Sequence, residues 1–161
     1  MEKEFLQLVT THKALIYKIC HTYERDEGLR NDLFQEIILN LWKAFQRYEA
    51  TSKWTTWAYK IGLNVAITQR RKRRISTTAL TDDFDKMLSD TPYDDSVEER
   101  LKAMHEAIAQ LNAAEKALML LYLDDVSYAD ISEIIGITEN NIGVKLNRIK
   151  SKLKSILINH G

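Results

Sequence analysis

Asn141, Lys145, Arg148 and Lys152 recur at steps of four, three and four, which sets amide and cationic side chains along one side of a helix. Groups of that kind hydrogen-bond base edges in the major groove and neutralise the flanking phosphates. From Glu139 onward five cationic residues (Lys145, Arg148, Lys150, Lys152, Lys154) stand against one acid, Glu139 itself. A second collection joins Tyr48, Trp54, Trp57 and Tyr59 to Lys53, Lys60 and the run Arg70, Arg71, Lys72, Arg73, Arg74. Aromatic faces beside cations suit single-stranded nucleic acid, where stacking contributes about 1–3 kcal/mol per base. Trp57 falls in step with Ile61 and Val65 and reads as core, whereas Trp54, beside Lys53, is open to a base or to the core alike. Five consecutive like charges repel one another, so the basic run is expected to face phosphates.

Candidates for covalent chemistry are poor. His12, His21, His105 and His160 are scattered, without a partner arrangement for a nucleophile or a metal. Cys20 reads as a packing residue, and no glycine-rich phosphate loop is present. No enzyme activity, cofactor or metal is expected. The polar side of a further helix, Asp32, Glu36, Asn40, Lys43 and Arg47, has acid at its start and base at its end. That order suits the helix macrodipole, so on residue types alone it is an exposed face.

The elements that must position these groups are helical. Ser127 and Asp130 have the form of a capping box, Ala129, Ile131, Ile134 and Ile135 give a short helix a buried side, and Gly136 supplies the left-handed stop. Thr138 then caps a second helix whose Ile142, Leu146, Ile149, Leu153 and Ile156 turn inward. Together they predict a helix-turn-helix. Upstream, periodicity predicts helices over about Lys3 to Tyr23, Asn31 to Tyr48, and from Thr55 into the basic run. Helices resume at Val97, and Asn112 with Glu115 forms another capping box. Between Ser76 and Ser96 the pattern fails, Ser, Thr and Asp dominate, and the single proline, Pro92, sits there.

The expected fold class is therefore all-α, with two small helical domains (1–75 and 97–161) joined by an acidic, flexible linker (76–96). Those twenty-one residues can reach about 70 Å, so the domains need not touch. The formal net charge of zero hides segregation. Nine basic residues and one acid lie between Lys43 and Arg74; eight acids and one base lie between Asp82 and Glu99. Hydrophobic content of 45% with 29% charge is ordinary for a globular protein. One cysteine, no apolar run near the roughly 18 residues of a membrane span, and an opening of Met1, Glu2, Lys3, Glu4 without a secretion signal predict a cytoplasmic protein.

In this order the segments resemble the sigma factors of bacterial RNA polymerase, in particular the extracytoplasmic-function branch of the sigma-70 family. The resemblance rests on Asp32 to Ile37 with Leu41 and Trp42, on Trp54 to Asn64 followed by the basic run, and on Leu111 to Tyr122 with Tyr128 to Glu139. It covers nearly the full length. It implies a transcription initiation factor that binds core polymerase, through the clamp helices and flap of its large subunits, and helps open promoter DNA. By resemblance, Asp32, Gln35 and Glu36 would dock on the clamp helices. Trp54, Thr55, Thr56 and Asn64 would hold bases of the opened −10 element, with Arg70, Arg71, Arg73 and Arg74 on the upstream duplex. Asn140, Asn141, Lys145, Arg148 and Lys152 would meet the −35 element. An anti-sigma factor is a possible further partner; no small-molecule substrate is implied. Trp54, Ala58, Gly62, Gly143 and Val144 depart from the usual family residues. Two other functions fit the basic residues alone: a free-standing dimeric operator binder and an RNA-binding protein.

Overall fold

At His12 the backbone leaves helical geometry (φ −110°, ψ 25°), so the stretch expected as one helix is two: α1, Glu2–Thr11, and α2, Lys13–Tyr23. Just before the break, Thr10 and Thr11 donate their hydroxyls back to the Leu6 and Gln7 carbonyls at 2.7 and 2.8 Å. Such back-bonding weakens and bends a helix. The computed structural model describes residues 1–76 and 96–160, and within them the chain is all-α. The expected linker falls mostly on 77–95, outside the described residues.

α3, Glu27–Phe45, starts four residues earlier than periodicity suggested, because Asp26 caps it by accepting from the Leu29 N–H at 2.9 Å. α4 is Trp54–Ser76. Leu33, Ile37 and Leu41 of α3 are fully buried against Ile16 and Ile19 of α2 and Leu63 and Ala66 of α4. Burying side chains of this size contributes about 1.5–3 kcal/mol each, which is what holds the three helices as a bundle.

The second half comprises α5, Ser96–Ala109, α6, Ala113–Leu123, α7, Tyr128–Ile135, and α8, Glu139–His160. The Asn112–Glu115 capping box is complete, with bonds of 2.8 and 3.0 Å. α8 packs Ile142, Leu146, Ile149 and Leu153 into a core with Leu121 and Ile131.

The halves are in contact. α2 packs on α5 and α6, and α4 packs on α6 and α7. The Tyr23 hydroxyl donates to the Ala113 carbonyl at 2.7 Å, and the buried Lys116 ammonium lies 5.9 Å from the centre of the Tyr23 ring. Asp124 accepts from both Lys18 and the Tyr59 hydroxyl, and Lys53 pairs with Asp130 at 3.5 Å.

Candidate nucleic-acid interface

Ser127 Oγ accepts from the Asp130 N–H at 3.2 Å and so starts α7. Asp130 turns its carboxylate towards Lys53. Gly136 ends α7 at φ +86°, a conformation that costs other residues a steric clash. Ser132 Oγ then donates to the Ile137 carbonyl at 2.6 Å, and Thr138 Oγ1 accepts from the Asn141 N–H at 3.2 Å, which fixes the turn and starts α8.

With Ile142, Leu146 and Ile149 buried, the opposite side of α8 presents Asn140, Asn141, Lys145 and Arg148 to solvent. Val144, 43% exposed, lies among them. A Cβ on Gly143 would sit 3.8 Å from Tyr128 Cε2, an ordinary contact, so the close approach of the α7 ring does not itself require glycine there. Lys152 behaves differently from the other predicted groups. Its ammonium bonds Glu115 Oε1 at 3.1 Å, tying α8 to the start of α6. Burial pushes the Glu115 carboxyl up, but the Asn112 N–H and the Lys152 cation outweigh it and hold it below its usual range. Lys150 is engaged too, with its ammonium 2.9 Å from the Tyr122 hydroxyl and 4.0 Å from the centre of that ring. Of the five cations in this segment, Lys145 and Arg148 are the pair aligned with the exposed amides.

On α4, Trp54 is 8% exposed and Thr56 is buried. Trp54 sits in an aromatic cluster with Phe5, Phe45, Tyr48 and Trp57, its centroid 4.8 Å from Trp57 and 6.1 Å from Tyr48. The open alternative for this ring resolves to packing in this arrangement, because the cluster gains more from a large apolar ring than solvent can offer. Its buried indole N–H has no acceptor among the described residues. Thr55 is half-buried and Asn64 is exposed. Lys60, Asn64, Thr68 and Arg71, at steps of four, four and three, form an exposed stripe along α4. Lys60 belongs to the cations already expected to meet single-stranded nucleic acid; Thr68 was missed, although its helical spacing is readable. Arg70 is half-buried and donates to the Tyr23 carbonyl at 3.0 Å. The side chains of Arg73 and Arg74 lie outside the described residues.

Asp32, Gln35 and Glu36 are exposed on α3, with Asn40 donating to the Glu36 carbonyl at 2.8 Å. Beside them runs an apolar cleft of about 660 Å³ lined by Phe5, Leu6, Phe34, Ile38, Leu39 and Trp42. Leu6 and Leu39 are 56% and 45% exposed. An acidic face flanked by an open apolar cleft is suited to a protein partner rather than to a polyanion. Among the described residues no group of three or more His, Cys, Asp or Glu could hold a metal, and no helix is long and apolar enough to cross a membrane.

A family model described as Sigma-70 region 2 matches residues 8–75, and one described as Sigma-70, region 4 matches residues 101–153. The chain is 23% identical over 159 residues to the ECF RNA polymerase sigma factor SigE of Mycolicibacterium smegmatis, covering 96% of this chain and 62% of that protein, less than two thirds of its length. It is 24% identical over 166 residues to the ECF RNA polymerase sigma factor SigW of Bacillus subtilis, covering 95% and 88% of the two. Its fold is similar to that of the sigma factor RpoE of Bartonella quintana, solved in complex with the anti-sigma factor NepR, with a TM-score of 0.73, 20% identity, and 96% and 97% of the two chains covered.

Proposed function

The chain belongs to the extracytoplasmic-function branch of the sigma-70 family, and from that premise we propose how it directs core RNA polymerase to a class of promoters. The carrying observation is that one chain exposes two polar or basic helix faces, on α4 and on α8, and a third face that is acidic and apolar.

Each face fits a different partner. The α8 face, Asn140, Asn141, Lys145 and Arg148, enters the major groove of the −35 element; Lys152 stands behind it and braces the helix. Direct readout of this kind contributes about 1–3 kcal/mol for each good bidentate pair. The α4 stripe, Lys60, Asn64, Thr68 and Arg71, follows the −10 element, with Thr55 at its start. Arg70, Arg73 and Arg74 extend it onto the upstream duplex. Trp54 and Thr56 form the floor beneath that strand. The acidic α3 face, Asp32, Gln35 and Glu36, with the adjoining cleft, docks on the polymerase clamp helices, and the second half meets the flap. On this reading residues 1–75 and 97–161 act as separate DNA-contacting units and 76–96 as the connector. The factor does no covalent chemistry. Strand opening is driven by trapping unstacked bases, each costing a few kcal/mol to expose. Work with polymerase puts the protein in the cytoplasm, and an anti-sigma factor is a further candidate partner.

Run-off transcription with purified core polymerase and a promoter library tests the reading. The expected result is a promoter-specific transcript that depends on this chain. No transcript together with tight, polymerase-independent binding to a palindromic duplex would replace it with an operator-binding regulator.

A further inference from the structure

Val144 occupies the most outward position of α8. Ile142, Leu146, Ile149 and Leu153 are buried, and at about 100° per residue the middle of that buried side lies almost diametrically opposite Val144. Three and four residues away stand Asn140 and Asn141 on one side and Asn147 and Arg148 on the other, all exposed. The valine is thus the centre of a face of amides and a guanidinium, 43% exposed, where packing makes no demand for it. Single exposed apolar side chains are ordinary on a protein surface. This one differs by its place: of the large hydrophobics exposed among the described residues, only Tyr128 and Val144 lie between Ser127 and Leu153. Gly143, its neighbour in the chain, adds no side chain between it and a groove.

A valine can neither give nor take a hydrogen bond. Pressed against a donor or acceptor of a base edge, it removes water and returns no partner, which is unfavourable. The C5-methyl group of thymine is the apolar group that major-groove edges present, and contact with it buries carbon on both sides. A β-branched side chain in a helix keeps essentially one χ1 rotamer, so Val144 has little freedom to lose on contact. Asn141 comes three residues earlier, about 4.5 Å along the helix axis. That is little more than the base-pair step of about 3.4 Å, so Asn141 and Val144 address adjoining base pairs. An asparagine so placed pairs with N6 and N7 of adenine.

We propose that Val144 reads a thymine of the −35 element through the C5-methyl group of that base, beside the pair that Asn141 meets. The proposal rests on the functional reading above, which lays α8 in the −35 major groove, and adds to it a named base and the residue that selects it. The contact carries no charge. Its contribution therefore persists as salt rises, whereas phosphate contacts made by cations weaken.

The test takes the full chain with core polymerase and a promoter selected from the library. Each thymine of its −35 element, on either strand, is replaced singly by uracil, which keeps the pairing and deletes only the methyl group. With the parent chain one position should weaken promoter binding about fourfold, the factor that burying one CH2-sized group carries. In Val144→Ser that position should lose its sensitivity, with circular dichroism unchanged because the side chain is exposed. Exchanging the same T·A pair for C·G should weaken the parent further, and 5-methylcytosine in place of that cytosine should restore part of the loss. If no uracil position distinguishes the parent from Val144→Ser, or the selected −35 element has no A·T pair, the proposal is overturned. If no transcript depends on the chain, the functional reading falls, and the same uracil scan on the duplex that the free chain selects decides Val144. A methyl effect that Val144→Ser abolishes upholds the contact; no such effect, or no selected duplex, overturns it.

Discussion

Gly62 and Ile19 meet so closely that a Cβ on the glycine would stand 2.7 Å from the Ile19 Cδ1 and 3.6 Å from the Ile37 Cγ2. Ile19 and Ile37 are fully buried, so the methyl group has nowhere to go. The glycine that interrupts α4 is thus the price of seating that helix against α2. Gly62→Ala gains about 1 kcal/mol of helix propensity but overpacks the core by about 1–3 kcal/mol. The expected net is a loss of about 1 kcal/mol in urea unfolding. Adding Ile19→Val removes the offending methyl, and the double variant should be more stable than Gly62→Ala alone. Additive losses would refute the contact.

Lys145 and Arg148 stand free on the reading side of α8, whereas Lys152 is tied to Glu115. Replacing Lys145 or Arg148 with Ala should weaken promoter use by about 1–3 kcal/mol each. Lys152→Ala should change it less and lower thermal stability slightly. Equal effects of all three on transcription from one promoter would put Lys152 back on the DNA.

Charge reversal at Asp32 and Glu36, both to Lys, should abolish co-purification with core polymerase and leave circular dichroism unchanged, since both side chains are exposed. Leu39→Ser, in the adjoining cleft, should weaken the same interaction without touching a charge. Undiminished polymerase binding by both variants would contradict the docking face.

The contacts that Tyr23 and Tyr59 make between the two halves predict an alkaline transition. Burial raises Tyr59 above the usual tyrosine range, and its hydrogen bond to Asp124 and that carboxylate's charge raise it further. Burial also raises Tyr23, with Arg70 opposing in part. A folded value above the unfolded one of about 10 means that the contribution is intact below pH 10 and is lost as pH climbs towards the folded values. Above pH 10, therefore, the halves should separate as two tyrosines ionise late. Absorbance at tyrosinate wavelengths and scattering should change together; early ionisation with the chain still closed would disprove the assignment.

Much of this was legible in the chain. The Ser127 cap, the Gly136 stop and the inward Ile142, Leu146 and Ile149 follow from short-range rules, and the exposed side of α8 follows from them in turn. The break at His12 was not legible, because apolar periodicity runs through it and the cause is two threonine hydroxyls that compete for carbonyls. Nor were the fates of Trp54 and Lys152. Each is decided by neighbours distant in sequence, Phe5 and Phe45 for one and Glu115 for the other, and residue type alone could not choose between partner and ligand. The contact of the two halves was equally hidden, since no local pattern records that Asp124 faces Lys18 and Tyr59.

Trp54 is buried, and its indole N–H lacks an acceptor among the described residues. A ring in that condition is also a built-in optical reporter. With Trp42 and Trp57 changed to Phe, its emission lies at the blue edge for as long as the aromatic box stays shut. Any motion that hands the N–H to water or to a nucleobase shifts the colour towards red, so strand capture can be followed in real time without attaching a dye.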